Sequence, residues 1–308
     1  MAHVAQRYNI IGTRRLEDYL TAGIEHQNTR SIGMEVETSF LTHDNHPITI
    51  HQSQQIFDGL CDEARWEVTQ KKGDLISVIT DRHGNKLLYE LGRQNIEVAT
   101  VPASAQTVVP QCLEVLEEVY RVAKRFGAYP HFSPFIDTDD DLLVIPDERD
   151  AVWLALDGRE ALNPLTKISA VQFTIEVPSD KALQCLNNLG ASLDRYLFDY
   201  PQDKVWRTYV QESEAGYLVD RYGGPGQFES ISHYCAELAK HGVVCGSTLV
   251  PYEQVPELDI PLYLRSIWWY FRLRRYGNSL CIEIRPLPRR HDDVMQSQLE
   301  LVLDTLSL

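Results

Sequence analysis

The chain has 308 residues, 44% hydrophobic and 24% charged, with a formal net charge of −15 and a pI near 5.1. That is ordinary globular material, enough for one large unit with a sizeable core, read here as a single domain over residues 1–308. The negative charge argues against nucleic acid or an anionic membrane as the main partner, because both would repel it.

The N-terminal stretch MAHVAQRYNIIGTRR carries no apolar signal segment, and no run reaches the ~20 apolar residues that a bilayer span needs. Six cysteines, at 61, 112, 185, 235, 245 and 281, are scattered without a C-x-x-C. They read as reduced, buried thiols of a cytoplasmic protein.

The first distinct element is a strand, IGMEVETSF (32–40). Ile32, Met34, Val36, Thr38 and Phe40 point one way; Gly33, Glu35, Glu37 and Ser39 point the other. Its two carboxylates lie on one face, roughly 6.6 Å apart along the strand. Helical periodicity follows over 51–70, then a hairpin over 73–91 that turns near His83-Gly84-Asn85. Residues 94–100, QNIEVAT, set Ile96 and Val98 opposite Asn95 and Glu97. Helices are expected at 105–127 and 181–198, on either side of a strand at 168–177, ISAVQFTIEV. There Val171, Phe173, Ile175 and Val177 oppose Ala170, Gln172, Thr174 and Glu176. Further helices are expected at 228–242, 262–277 and 292–308, the second built around the apolar SIWWYF patch. Between the last two, SLCIEIRPL (279–287) alternates Leu280, Ile282 and Ile284 with Cys281, Glu283 and Arg285.

Several strands therefore share one design, an apolar face and a face bearing acids, an amide or an arginine. This suits an α+β fold, a curved antiparallel sheet with helices on its apolar face and the other face uncovered. Glu35, Glu37, Glu90, Glu97 and Glu283 then look out from one surface with Arg285. Glu90 and Glu97 differ in parity, so a bulge or turn at LGRQ (91–94) is needed to bring both to that side. Like charges about 5 Å apart repel by roughly 3 kcal/mol per pair at an effective dielectric of ~20. Either the acids are spread out and solvated, or something positive sits among them. Oxygen-only ligands without a His or Cys cluster suit a hard cation, Mg2+ or Mn2+, and two or three ions would leave charge to hold a polyphosphate. Arg285 is a fixed cation able to fork onto phosphate. No phosphate-binding glycine loop of the G-x-x-x-x-G-K-[ST] or G-x-G-x-x-G kind is present.

The segments GMEVETSF, YELGRQNIEVAT, AVQFTIEV and SLCIEIRPLP occur in the order of the motifs of glutamate–cysteine ligases and related carboxylate–amine ligases, and the chain resembles that family from about residue 31 to 290. The resemblance implies a catalytic domain related to glutamine synthetase and the guanidino kinases. It implies ATP-dependent activation of a carboxylate, usually the γ-carboxylate of glutamate, and attack by an amine such as cysteine to give an amide. It implies Glu35, Glu37, Glu90, Glu97 and Glu283 as metal ligands, Arg285 at the transferring phosphoryl group and Gln172 beside metal or substrate. Arg221, before YGGPG, resembles a phosphate-side arginine, and Arg207 is a second cation for ATP in the same short segment; a surface arginine beside a turn is the other reading of Arg221. His131, in YPHFSPF, either faces the site or is structural, and DTDDDLL (137–143) reads as a solvated acidic loop. A phosphotransferase that forms no amide, or a binding protein that kept the sheet without turnover, are the alternatives.

Overall fold

The computed structural model describes residues 13–25, 30–63, 65–144 and 148–307. Residues 1–12, most of the stretch read as lacking a signal segment, lie outside the described residues. The strands are β1 Ile32–Leu41, β2 Trp66–Lys72, β3 Leu75–Asp81, β4 Lys86–Tyr89, β5 Asn95–Ala99, β6 Tyr129–His131, β7 Ala170–Glu176, β8 Tyr222–Gly223, β9 Val243–Cys245, β10 Thr248–Val250, β11 Trp268–Trp269, β12 Phe271–Tyr276 and β13 Ser279–Pro288. The main sheet runs β12-β13-β7-β1-β5-β4-β3-β2, with every neighbour antiparallel and β6 paired to β1. This is the antiparallel α+β arrangement that the alternation called for.

The apolar parity of each strand is the core parity. Ile32, Met34, Val36, Ile96, Val98, Val171, Phe173, Ile175, Ile282 and Ile284 are all buried. Helices Ile50–Asp62, Val108–Arg125, Ala182–Ala191 and Met295–Leu306 join the same cluster through their buried faces. Helix Val108–Arg125 buries Val108, Val109, Cys112, Val115, Leu116, Val119, Val122 and Ala123, and each of its larger aliphatics contributes roughly 1.5–3 kcal/mol. Helix Ile50–Asp62 starts at Thr49, whose hydroxyl accepts from Gln52 N–H while the Gln52 side chain accepts from Thr49 N–H.

Two expected helices are cut short. The 51–70 segment is helical only to Asp62, and Trp66–Lys72 is the edge strand β2. In 262–277 the helix is Ile260–Arg265, and the FRLRRY run is β12. As a strand, that run buries Phe271 and Leu273 in the core and turns Arg272 and Arg274 to the polar face, where Arg272 falls opposite Glu283.

The polar face is not left open, contrary to the one-sided sheet expected. Helices Glu148–Leu162 and Gln202–Glu212 and the chain from Val243 to Trp268 close over it. The sheet becomes the floor of a cavity of about 850 Å3.

All six cysteines are free; Cys112, Cys185, Cys235 and Cys281 are buried as expected, Cys61 is partly so, and Cys245 is exposed. Among the described residues no helix is long and apolar enough to cross a membrane.

Candidate active site

Strand register decides which acids meet. β1 lies between β7 and β5, so Glu35 has Gln172 on one side and Ala99 on the other, and Glu37 stands directly opposite Glu97. The β4–β5 hairpin resolves the parity problem. Leu88 pairs with Glu97 and Tyr89 with Ile96, and the Glu90 N–H donates to the Asn95 carbonyl. The turn at 91–94 thus sets Glu90 on the face that carries Glu97. Glu35, Glu37, Glu90, Glu97, Glu283, Gln172 and Arg285 all line the one cavity.

At one end, Glu37, Glu90 and Glu97 each offer an oxygen within 4.8 Å of the others. Ala170 N–H donates to Glu37 Oε2 at 2.8 Å, and Gln172 Nε2 donates to Glu37 Oε1 at 3.0 Å. Gln172 Oε1 in turn accepts from Arg285 Nη1 at 2.8 Å. Burial and the charge of Glu90 push the Glu37 carboxyl up to about 8, against the pull of Ala170 N–H, Arg285 and Gln172. Burial, Glu35 and Glu90 push Glu97 well above the usual carboxylate range. Burial and Glu283 likewise raise Glu35, with Arg285 and Arg272 pulling the other way. Three oxygen donors gathered in the cavity, with Glu37 and Glu97 raised by burial and by neighbouring carboxylates, fit a hard divalent cation.

The other end is arginine-rich. Glu283 lies apart from the three-carboxylate group. Arg272 Nε donates to its Oε2, Arg274 Nη1 lies 3.5 Å from Oε1, and the Tyr276 hydroxyl is 3.1 Å from Oε1. Burial works to raise the Glu283 carboxyl, but Arg272, Arg274 and Arg285 together hold it down at about 2. Glu283, expected as a metal ligand, is here the anchor of two arginines. Those arginines escaped the sequence reading because FRLRRY was taken for helix; its strict F-R-L-R alternation was the available signal.

Arg221 does not reach this cavity. Its side chain is buried under Tyr217 and Trp268, and its guanidinium donates to Ser266 O at 2.9 Å, Gly242 O at 2.9 Å and Ser266 Oγ at 3.0 Å. All three partners lie in the chain that roofs the site, so it is neither the phosphate-side residue expected nor a surface arginine, but a buried brace. Arg207 donates to Asp203 at 2.8 Å and to the Tyr270 hydroxyl at 2.6 Å, and is likewise outside the lining. His131, on β6 opposite Ser39, is outside it as well. The acidic loop is tied down by Arg93 and Arg159, which bond Asp140 and Asp141. The roof adds a wall that single-residue spacing could not disclose, with Trp153, Trp206, Tyr209 and Trp268 packed ring against ring along one side of the cavity.

No protein-family profile matches the chain, and no curated protein does. Solved structures do. A glutamate–cysteine ligase from Francisella tularensis, solved in complex with AMP, is similar with a TM-score of 0.50 at 12% identity, covering 92% of this chain and 68% of that one. A bifunctional glutathione synthetase from Pasteurella multocida is similar with a TM-score of 0.53 at 12% identity, covering 97% of this chain and 40% of that one. The chain shares the fold of these two enzymes and spans less than half the length of the second. The resemblance read from its four motifs holds at the level of fold.

Proposed function

We propose that this chain, on the fold it shares with glutamate–cysteine ligase, is an ATP-dependent carboxylate–amine ligase whose catalytic sheet is of the glutamine synthetase and guanidino-kinase kind. ATP phosphorylates a small-molecule carboxylate, the γ-carboxylate of glutamate, and an amine such as cysteine displaces the phosphate to leave an amide. The observation that carries this reading is the Glu37, Glu90 and Glu97 cluster, its oxygens within 4.8 Å of one another, in one cavity with Arg285. Those three residues would hold a divalent cation, Mg2+ or Mn2+, and a second would draw on Glu35. Bound there, the ions supply charge neutralisation for a triphosphate.

The remaining parts belong to the chain itself. Gln172 holds Arg285 at 2.8 Å and so aims the other guanidinium N–H groups into the cavity, where phosphoryl oxygens would develop charge. A carboxylate attacks a phosphoryl group without a general base, so no nucleophilic triad is required. A cytoplasmic location, with ATP and free amino acids at hand, belongs to the same proposal.

The test is a screen of amino-acid pairs for phosphate release from ATP in the presence of Mg2+, with mass spectrometry of the products. Release that needs both partners, with an amide product, is expected. ADP formation without phosphate release, with the carboxylate alone and a stable phosphorylated product, would point to a phosphotransferase instead. No release with any pair would leave the reading without support.

A further inference from the structure

Cations and anions are unequally divided along the cavity floor. One end gathers three acids, Glu37, Glu90 and Glu97. The other gathers three guanidiniums, Arg272, Arg274 and Arg285, around Glu283, with Glu35 beside them. Arg272 is anchored through two of its nitrogens: Nε binds Glu283, and Nη1 donates to Leu264 O at 2.9 Å and Ile267 O at 2.7 Å. Arg274 has fewer partners. It is 4% exposed, lines the cavity, and its Nε has no hydrogen-bond partner among the described residues. Its ion pair there is the 3.5 Å approach of Nη1 to a carboxylate that Arg272 already occupies. The Tyr276 ring lies 5.8 Å from the guanidinium carbon. Leaving a buried donor unpaired is costly, and more so when the group is charged. Arg285 commits Nη1 to Gln172 and faces the same space.

We infer that Arg274 and Arg285 form an oxyanion subsite in the cavity, separate from the carboxylate trio, which takes the carboxylate or phosphate group of a substrate. An oxyanion there supplies the acceptor that Arg274 Nε lacks. Guanidinium groups suit either group, since both present paired oxygens to the fork. The subsite rests on geometry alone; that its occupant is a substrate rests on the ligase reading.

The experiment is calorimetric binding of three probes, L-glutamate, inorganic phosphate and the magnesium complex of a non-hydrolysable ATP analogue, to wild type, Arg274→Gln and Arg274→Lys. At least a tenfold loss of affinity for one probe in Arg274→Gln, partly restored in Arg274→Lys, is expected. Loss confined to L-glutamate assigns the subsite to the carboxylate substrate. Loss for phosphate and the nucleotide assigns it to the phosphate chain. Equal affinity of all proteins for every probe, or no binding of any probe to wild type, overturns the inference. If Arg274→Gln does not fold, Arg274→Lys decides: a loss of affinity for one probe, smaller than tenfold but beyond error, supports the subsite, and wild-type affinity for every probe overturns it. Binding that depends on Arg274 in a protein with no amine-dependent turnover would sink the ligase reading and leave the subsite standing.

Discussion

Arg285, Gln172 and Glu37 form a chain of hydrogen bonds at 2.8 and 3.0 Å that joins a cation to the acid trio. The guanidinium can serve Gln172 and a ligand together because its donors are spread over a rigid fork, which an ammonium lacks. Arg285→Lys should therefore lower kcat by about 100-fold or more while the melting temperature changes little. Steady-state kinetics beside a thermal melt checks it, and an unchanged kcat would remove Arg285 from the chemistry. A second buried group has a different role. His241 is fully buried, neither ring nitrogen has a hydrogen-bond partner among the described residues, and Trp269 packs on it edge-on. Burial, with the charges of Arg221 and Lys240, pushes it down to about 3. Its folded-state value is depressed, so its neutral form is the folded form. The stability it permits is present above pH 6.5, the unfolded value, and is lost as pH falls toward 3. The slope is about 1.4 kcal/mol per pH unit. Urea unfolding at pH 7 and pH 5 should show wild type losing stability relative to His241→Leu as the pH drops. Parallel losses in both proteins would rule His241 out as the cause.

The GGPG segment, which reads as a turn beside Arg221, acts through the backbone. Gly226 lies against helix Ala182–Ala191, and a Cβ on Gly190 would sit 1.6 Å from the Gly226 carbonyl oxygen. No rotamer relieves a clash between two backbones. Gly190→Ala should destabilise by about 3 kcal/mol or more, as severe overpacking does. A lowered urea midpoint, or loss of soluble protein, is the readout; a midpoint within error of wild type would show that the helix can shift away. The β12–β13 pair carries a comparable lesson. Its ladder places Arg272 against Glu283, and Arg272 also gathers the carbonyls of Leu264 and Ile267 at the end of helix Ile260–Arg265. One side chain thereby ties the roof to the floor. The apolar SIWWYF patch hid this. Ser266–Trp269 packs into the roof and Phe271 opens the strand, so two elements meet inside what looks like one helical stretch.

Across the molecule, the cavity concentrates acids at the Glu37, Glu90 and Glu97 end that Arg285 offsets only in part. Folding tolerates this because the sheet's other face buries a continuous core. Stability should accordingly respond to cations. Mg2+ at about 100 times its dissociation constant should add roughly 2.7 kcal/mol, read as a rise in melting temperature. Glu97→Gln should melt higher than wild type without Mg2+, because a like charge is gone, and should gain much less when Mg2+ is added. A wild-type melt indifferent to Mg2+ and Mn2+ would remove the cation from this site.

Alternation with a period of two is a local property, so the sequence alone determined which face of each strand carries Glu35, Glu37, Glu97, Gln172 and Arg285, and that the sheet is antiparallel with helices on its apolar side. The need for a turn at 91–94 was legible for the same reason. Tertiary structure alone decided who meets whom. Register across β1 and β5 set Glu37 opposite Glu97, and register across β12 and β13 gave Glu283 to two arginines instead of the acid trio. It also closed a roof over the polar face and drew Arg221 away into that roof. Strand pairing joins residues far apart in the chain and burial sets the energy of each charge, and neither quantity exists until the chain has folded.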